Sequence, residues 1–447
     1  MKKTLLLTSL VISMVAIAGT TGSVEGYNEN EATFVKNPAS TTFVAKKIGV
    51  KTEVKVNETG FSFGGDFKAE DLELGKAKKA NYLNHSSVWA KYELPELKGV
   101  KSYVKATVEP KFVDESDNYK FGGSAEIEGQ ASYKYDVLTF GLKSKTNLPF
   151  KLSENNTDYG KDVKSTHKVF VESEKDKDVF VKGLKDVKAN VEIKHNYATE
   201  NVTKAGERVD YVKGNVELAY DSIKDLKIDG KADFTVNVNA PKELGNTKLG
   251  DYNLEDHELV GTLSKELVDF VHTYNAKLTY TGVKGLSLAV APFVSHYRTS
   301  GIRLVVNNAI YGTSLNAEYK TLNDQLTLTG KALLAGYSVL KNGTNVANVE
   351  NSGVVSLGAN AKYDYKVSDK FTVSPEADAK LDLLIYDQQP APFLTLTPKV
   401  SAEYKPTDAL TLKGSVETPV KFKTVGAEFK YTDTQLKTSL NLKYEWK

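Results

Sequence analysis

The 447-residue chain contains no cysteine, so it forms no disulfide and carries no lipidated cysteine. Proline is sparse, at 12 residues, and arginine is confined to Arg208, Arg298 and Arg303, leaving nearly all the basic charge on lysine. No long apolar run follows residue 18, which excludes a transmembrane helix in the remainder. A dominant charge of one sign is also missing. Lys and Arg number 59 against 57 Asp and Glu, a formal net charge of +2. Setting aside Lys2 and Lys3 leaves 57 against 57, and a balanced chain implies no nucleic-acid partner. The six histidines (His85, His167, His195, His257, His272 and His296) lie far apart without metal-ligand spacing, and there is no G-x-S-x-G motif. These absences lead to the expectation of a non-enzymatic protein with no metal and no cofactor. The mean hydropathy of −0.37 suits a soluble protein, unless the apolar residues occupy every second position and face lipid.

Alternation of that kind is present. Between Leu226 and Ala240, one set of alternate residues is Leu226, Ile228, Gly230, Ala232, Phe234, Val236, Val238 and Ala240. The other set is Lys227, Asp229, Lys231, Asp233, Thr235, Asn237 and Asn239. Side chains on a strand alternate between faces, so this stretch has one apolar face and one polar face. It is also longer than the usual soluble strand of about five or six residues. One such strand fits a large soluble β-sandwich as well as a membrane barrel; its recurrence favours the barrel.

From Val88 onward a hairpin pattern repeats: a small residue, a polar residue, an aromatic, a short polar turn, then an alternating run. The aromatics are Tyr92, Tyr133, Tyr220, Tyr280, Tyr319, Tyr363 and Tyr404, and Tyr444 and Trp446 extend the series at the C-terminus. Tyrosine at one offset from so many turns predicts an aromatic girdle at one membrane interface, where its ring is apolar and its hydroxyl wet. Longer polar segments, such as Pro241 to Lys265, separate the hairpins. Short turns on one side and long loops on the other is the asymmetry of a transmembrane barrel.

Ahead of the hairpins, Lys2 and Lys3, the apolar run Thr4 to Ile17 and Ala16-Ile17-Ala18 read as a secretory signal cleaved after Ala18. Gly19 to about Thr42 is polar and is expected to precede the barrel, which would span residues 43–447. The final strand places Leu436, Thr438, Leu440, Leu442, Tyr444 and Trp446 on one face. It resembles the C-terminal signal of bacterial outer-membrane barrels, although Lys447 follows the aromatic. That resemblance implies an outer-membrane location, lipid contact and handling by the barrel-assembly machinery through the last strand.

The expected fold is all-β: a single antiparallel transmembrane β-barrel of roughly 18 strands, within a range of about 14 to 20. A final hairpin turning near Asp433 would send the C-terminus outward, against the usual parity. A barrel of this size leaves a wet interior. Lys227, Asp229, Lys231 and Asp233, with Glu376, Asp378, Lys380 and Asp382, are candidate pore-lining residues, and small hydrophilic solutes the expected cargo. Asn37-Pro38-Ala39 also resembles the Asn-Pro-Ala motif in the N-terminal hatch of outer-membrane fatty-acid transporters, which implies a plugged barrel for hydrophobic substrates. An adhesin or structural barrel acting through its loops is a third reading.

Overall fold

A computed structural model describes residues 19–36, 39–73, 86–115, 118–153, 156–159, 163–197, 210–237, 251–253, 258–260, 270–300, 305–341, 344–345, 352–386, 389–425 and 428–446. The strands are β1 (Thr20–Lys36), β2 (Ala39–Val56), β3 (Phe61–Glu73), β4 (Ser87–Leu97), β5 (Val100–Glu115), β6 (Asn118–Tyr135) and β7 (Leu138–Ser153). Next come β8 (Asn156–Tyr159 with Lys164–Ser173), β9 (Leu184–Asn196), β10 (Tyr211–Ile223), β11 (Leu226–Asn237), β12 (Phe270–Val283) and β13 (Leu286–Ser300). The remainder are β14 (Val305–Thr321), β15 (Leu326–Lys341), β16 (Thr344–Asn345, Ser352–Tyr363 and Tyr365–Ser368), β17 (Phe371–Tyr386), β18 (Gln389–Thr407), β19 (Leu410–Glu417 with Val420–Val425) and β20 (Glu428–Trp446). Each strand pairs antiparallel with its neighbours in sequence, and β20 pairs with β1 from Gly22 opposite Trp446 to Val35 opposite Asp433. The sheet is therefore a closed barrel of 20 strands, at the top of the expected range. A small hairpin, Asp251–Asn253 with Glu258–Val260, stands outside it.

Alternation sorts every strand into two faces. The outer face carries large apolar residues such as Val104, Ile127, Leu142, Val169, Leu315, Leu334 and Leu440, all 50–61% exposed. Exposed apolar side chains in such numbers mark a surface made for lipid. A closed antiparallel barrel with an apolar exterior is a transmembrane barrel of the outer-membrane type. For 20 strands about 4.8 Å apart and tilted about 40°, an evenly round barrel is about 40 Å across between backbones.

The repeating tyrosine has a backbone explanation. Two-residue turns such as Lys98-Gly99, Lys224-Asp225, Lys284-Gly285 and Asp408-Ala409 close one end of the barrel, and Lys98, Gly99, Asp225 and Gly285 have positive φ, as tight hairpins require. In three of these hairpins the register slips next to the tyrosine, between Tyr220 and Ile223, Tyr280 and Val283, and Tyr404 and Thr407. The residue after each tyrosine then donates its N–H to a carbonyl in the neighbouring turn: Thr281 to Asp225, Lys320 to Gly285, Lys405 to Lys370 and Glu445 to Ala409. Tyr220, Tyr280 and Tyr404 are thus the last regularly paired residues before their turns, whereas at Tyr319 the pairing runs on to Thr321 opposite Leu326.

The structure corrects several expectations. Residues 19–42 are not a pre-barrel segment, because Thr20–Lys36 is the first stave of the wall and Ala39 opens the second. The outer face of β1 reads Gly22, Val24, Gly26, Asn28, Asn30 and Ala32, too small and polar to show apolar alternation. Asp433 is not in a turn; it lies inside β20, where a register shift accommodates the turn-like Thr432-Asp433-Thr434. The break in this region is Thr418-Pro419, which divides β19 into two pieces of one stave. With 20 strands, both ends of the barrel chain lie at the short-turn end, which removes the parity conflict. Pro95-Glu96 and Lys185-Asp186, turn-like pairs in the sequence, lie within β4 and β9 at register shifts. Strands also extend into segments read as loops, including Asn147–Ser153. The signal segment 1–18, Asn37 with Pro38, and most of Pro241 to Lys265 lie outside the described residues.

Candidate pore wall

The inner face is a lattice of short ion pairs built by two geometries. Neighbours two apart on one strand share a face, and cross-strand partners stand directly opposite. On β11, Lys227 Nζ lies 2.9 Å from Asp229 and 4.0 Å from Asp186 of β9, and Lys231 lies 3.4 Å from Asp233 and 4.0 Å from Glu217 of β10. Asn215 Nδ2 donates to Asp233 at 2.7 Å. The second quartet lies on β17. Lys380 meets Asp382 at 3.0 Å, Glu376 meets Lys399 of β18 at 3.6 Å, and Asn360 of β16 donates to Glu376 at 2.8 Å. Asp378 stands opposite Asn360 and Thr397 on the same face. The two quartets share the inner face, but five staves stand between them and they do not form one cluster.

Residues that sequence reasoning did not single out complete the lattice. Lys143 and Lys145 of β7 reach Glu128 at 3.0 Å and Glu126 at 2.7 Å on β6, and the Tyr103 hydroxyl donates to Glu128 at 2.6 Å. Lys413 meets Glu403 at 2.7 Å, and Lys437 meets Glu417 at 3.2 Å. Aromatic rings sit among the lysines: Lys91 lies 4.4 Å from the Tyr103 ring, Lys105 5.1 Å from Trp89, and Lys213 4.2 Å from Tyr211. Their signal in the sequence was the polar half of each alternating run, set aside once the apolar half had defined the strand. Among the described residues no group of three or more His, Asp or Glu is placed to hold a metal. The described histidines in strands, His167, His195, His272 and His296, all fall on the outer face; His272 and His296 are cross-strand partners with rings 5.0 Å apart.

All nine aromatic candidates lie on the outer face near the short turns. Tyr92, Tyr133, Tyr280, Tyr319, Tyr404 and Tyr444 are 43–45% exposed. Tyr220 is less exposed, Tyr363 donates to Gln325 at 3.4 Å, and Trp446 Nε1 donates to Thr20 Oγ1 at 3.5 Å. Trp446 lies over its cross-strand partner Gly22, where a Cβ would fall 2.6 Å from the indole, so only glycine fits. At the turn after β8, Glu174 accepts a hydrogen bond from Lys134, which holds its carboxyl below the usual glutamate range.

No family model matches the chain, and no curated protein matches it. Among solved structures it is similar to OccK3 (OpdO) of Pseudomonas aeruginosa, at 10% identity and a TM-score of 0.42, covering 98% of this chain and 99% of that one. It is likewise similar to a BenF-like porin from Pseudomonas fluorescens Pf-5, at 10% identity and a TM-score of 0.44, covering 96% and 99%. The ferric enterobactin receptor PfeA of P. aeruginosa, at 8% identity and a TM-score of 0.47, covers 96% of this chain and 81% of its own.

Proposed function

We propose that the protein is a passive diffusion channel for ions and small hydrophilic solutes across the outer membrane. The carrying observation is the inner face: a closed ring of 20 strands whose interior is lined by paired, half-exposed lysines and carboxylates. A barrel this wide exceeds what its own inward side chains can fill, and a charged wall in the remaining space biases which ions pass. In this reading the Lys227–Asp233 and Glu376–Asp382 quartets line the pore, and the tyrosine row is the girdle at the interface beside the short turns. Lipid covers the outer face, and the C-terminal strand engages the assembly machinery. Against the hatch reading stands the placement of the residues on either side of Asn37-Pro38, since Thr20–Lys36 and Ala39–Val56 are strands of the wall.

The test is conductance of the refolded protein in a planar bilayer, with ion preference taken from the reversal potential. Stable open steps, with a preference that moves when Asp229 or Asp378 becomes lysine, support the channel. No current from a protein verified as folded sinks it.

A further inference from the structure

The row of outward tyrosines has one interruption that the fold treats in its own way. The residue after a tyrosine donates its N–H to a carbonyl at the short-turn end of the neighbouring strand, as Glu93 does to Gly60, Asp221 to Gly183 and Asp364 to Gln325. Two strands make the same bond without the aromatic. In β2, Val56 precedes Asn57, which donates to Gly19; in β8, Ser173 precedes Glu174, which donates to Val137 at 2.8 Å. The gap at Val56 is filled from the next strand but one. The indole of Trp446 lies over Gly22 and donates to Thr20, the cross-strand partner of Val56. Ser173 faces Leu138 instead.

What β8 has in addition is a longer connection, residues 174–183, where neighbouring strands are joined by pairs such as Lys224-Asp225. Within it Val179 is fully buried, and the next two residues, Phe180 and Val181, are 90% and 60% exposed. No large apolar side chain among the described residues is more exposed than Phe180. The flanking Lys175, Asp176, Lys177, Asp178 and Lys182 are exposed too, so the apolar surface is confined to the tip. Phe180 has a φ of +60°, and the Val181 N–H donates across it to the Val179 carbonyl at 2.6 Å. A three-residue turn with a positive-φ centre is a rare and strained place for a bulky side chain. The surroundings hold it there. Val179 N–H donates to Leu184 at 2.7 Å, Gly183 N–H to Asp178 at 3.0 Å, and the Ser222 hydroxyl of β10 to Lys182 at 2.7 Å. Leu184 stands opposite Tyr220, so the connection folds back to the level of the tyrosine row. Strain that the surrounding structure maintains is a mark of function.

We infer that Phe180 and Val181 form a membrane prong, a built loop that sets an aromatic and an aliphatic side chain into the lipid headgroup layer where β8 lacks its tyrosine. Lipid is the partner that the position selects. The gap lies in a row assigned to the membrane interface, the tip is folded back to that level, and the boundary between headgroups and acyl chains takes up a phenylalanine that water does not. This inference rests on the girdle reading of the tyrosine row, so its test carries a tyrosine control.

The absence of cysteine makes single-site spin labelling direct. Val181→Cys keeps Phe180 in place, Lys177→Cys reports the charged part of the same loop, and Tyr319→Cys reports the tyrosine row. Each variant is refolded into phosphatidylcholine vesicles and labelled. Collisions with oxygen, which concentrates in the bilayer, are compared with collisions with a water-soluble nickel chelate. The oxygen-to-nickel ratio at Val181→Cys should match that at Tyr319→Cys within about twofold and exceed that at Lys177→Cys at least about threefold. Adding Phe180→Asn, which accepts the left-handed backbone and removes the ring, should bring the Val181→Cys ratio down towards the Lys177→Cys value. An unchanged ratio there would overturn the assignment to Phe180. A Val181→Cys ratio equal to that of Lys177→Cys, with Tyr319→Cys still high, would overturn the prong and leave its tip to a protein partner. Low ratios at all three would remove the girdle reading as well, and a low ratio at Tyr319→Cys alone would remove the girdle and uphold the prong. If Val181→Cys fails to fold, Phe180→Cys replaces it.

Discussion

The charged wall and the apolar band of the inner face are written in the same alternation and differ in the partner each strand presents. On the charged wall an inward lysine finds its carboxylate two residues along its own strand or diagonally across, as Lys231 finds Asp233 and Lys143 finds Glu128. In the apolar band of β12 to β16 the inward residues include Val271, Phe293, Ile310, Leu333 and Val354, which carry no charge and are packed among their neighbours. A strand in a wide barrel therefore encodes two decisions. Its outer residues are set by lipid, and its inner residues by whether they pair in water or pack on their neighbours.

Removing packing from each side exposes the contrast. Leu333→Ala deletes buried methyl groups and should cost about 2–5 kcal/mol, whereas Lys143→Ala breaks a half-exposed pair and should cost no more than about 1 kcal/mol. Urea unfolding into phospholipid vesicles measures both, and equal costs would erase the distinction. Tight packing on the charged wall is local. Tyr27 lies over Gly49 and donates to Asp66 at 2.6 Å, and a Cβ on Gly49 would fall 2.5 Å from the hydroxyl oxygen. Gly49→Ala should cost about 1–3 kcal/mol, while Gly26→Ala, with open space around it, should stay within about 0.5 kcal/mol.

Charge reversal sharpens the comparison functionally. Lys143→Glu with Lys145→Glu should move the permeability ratio roughly twofold or more toward cations, and an unchanged reversal potential would place the passage elsewhere. The smallest effect belongs to the turn. Glu174 has its carboxyl pKa depressed in the folded state, so its bond with Lys134 stabilises above the ordinary glutamate value near 4.5 and loses that contribution as pH falls through the folded value. The difference in unfolding midpoint between the native chain and Glu174→Gln should therefore be small at neutral pH and absent at strongly acid pH; a difference that persists in acid contradicts the assignment.

Much of the outer face was legible in the sequence, since lipid selects every second residue and the turns fix the tyrosines. The short-turn end was read well where Asn323-Asp324 and Asp408 signal a turn, and misread at Asp433, whose turn-like neighbours are absorbed by a register shift inside β20. The first strand escaped notice because its outer face is glycine and asparagine. The charged quartets were legible as one face of a strand, but their separation by five staves was not, because it depends on the order of strands around the ring. The buried inner band was least legible. Nothing local distinguishes Leu333, buried, from Leu334, exposed; the difference lies in which side of the wall each one faces.

The seam between β1 and β20 carries a consequence for how the molecule is made. Asn30 donates to Thr438 across 408 residues of chain. Closing so long a loop costs about 4 kcal/mol more chain entropy than closing a tight hairpin, and the pairing that offsets this cost arrives only when the last strand is available. Until then both β1 and β19 present unpaired edges, the configuration most prone to aggregation. The hairpins can zip locally and early, but the ring waits for its final stave, so the rate of maturation is governed by the join and not by the strands.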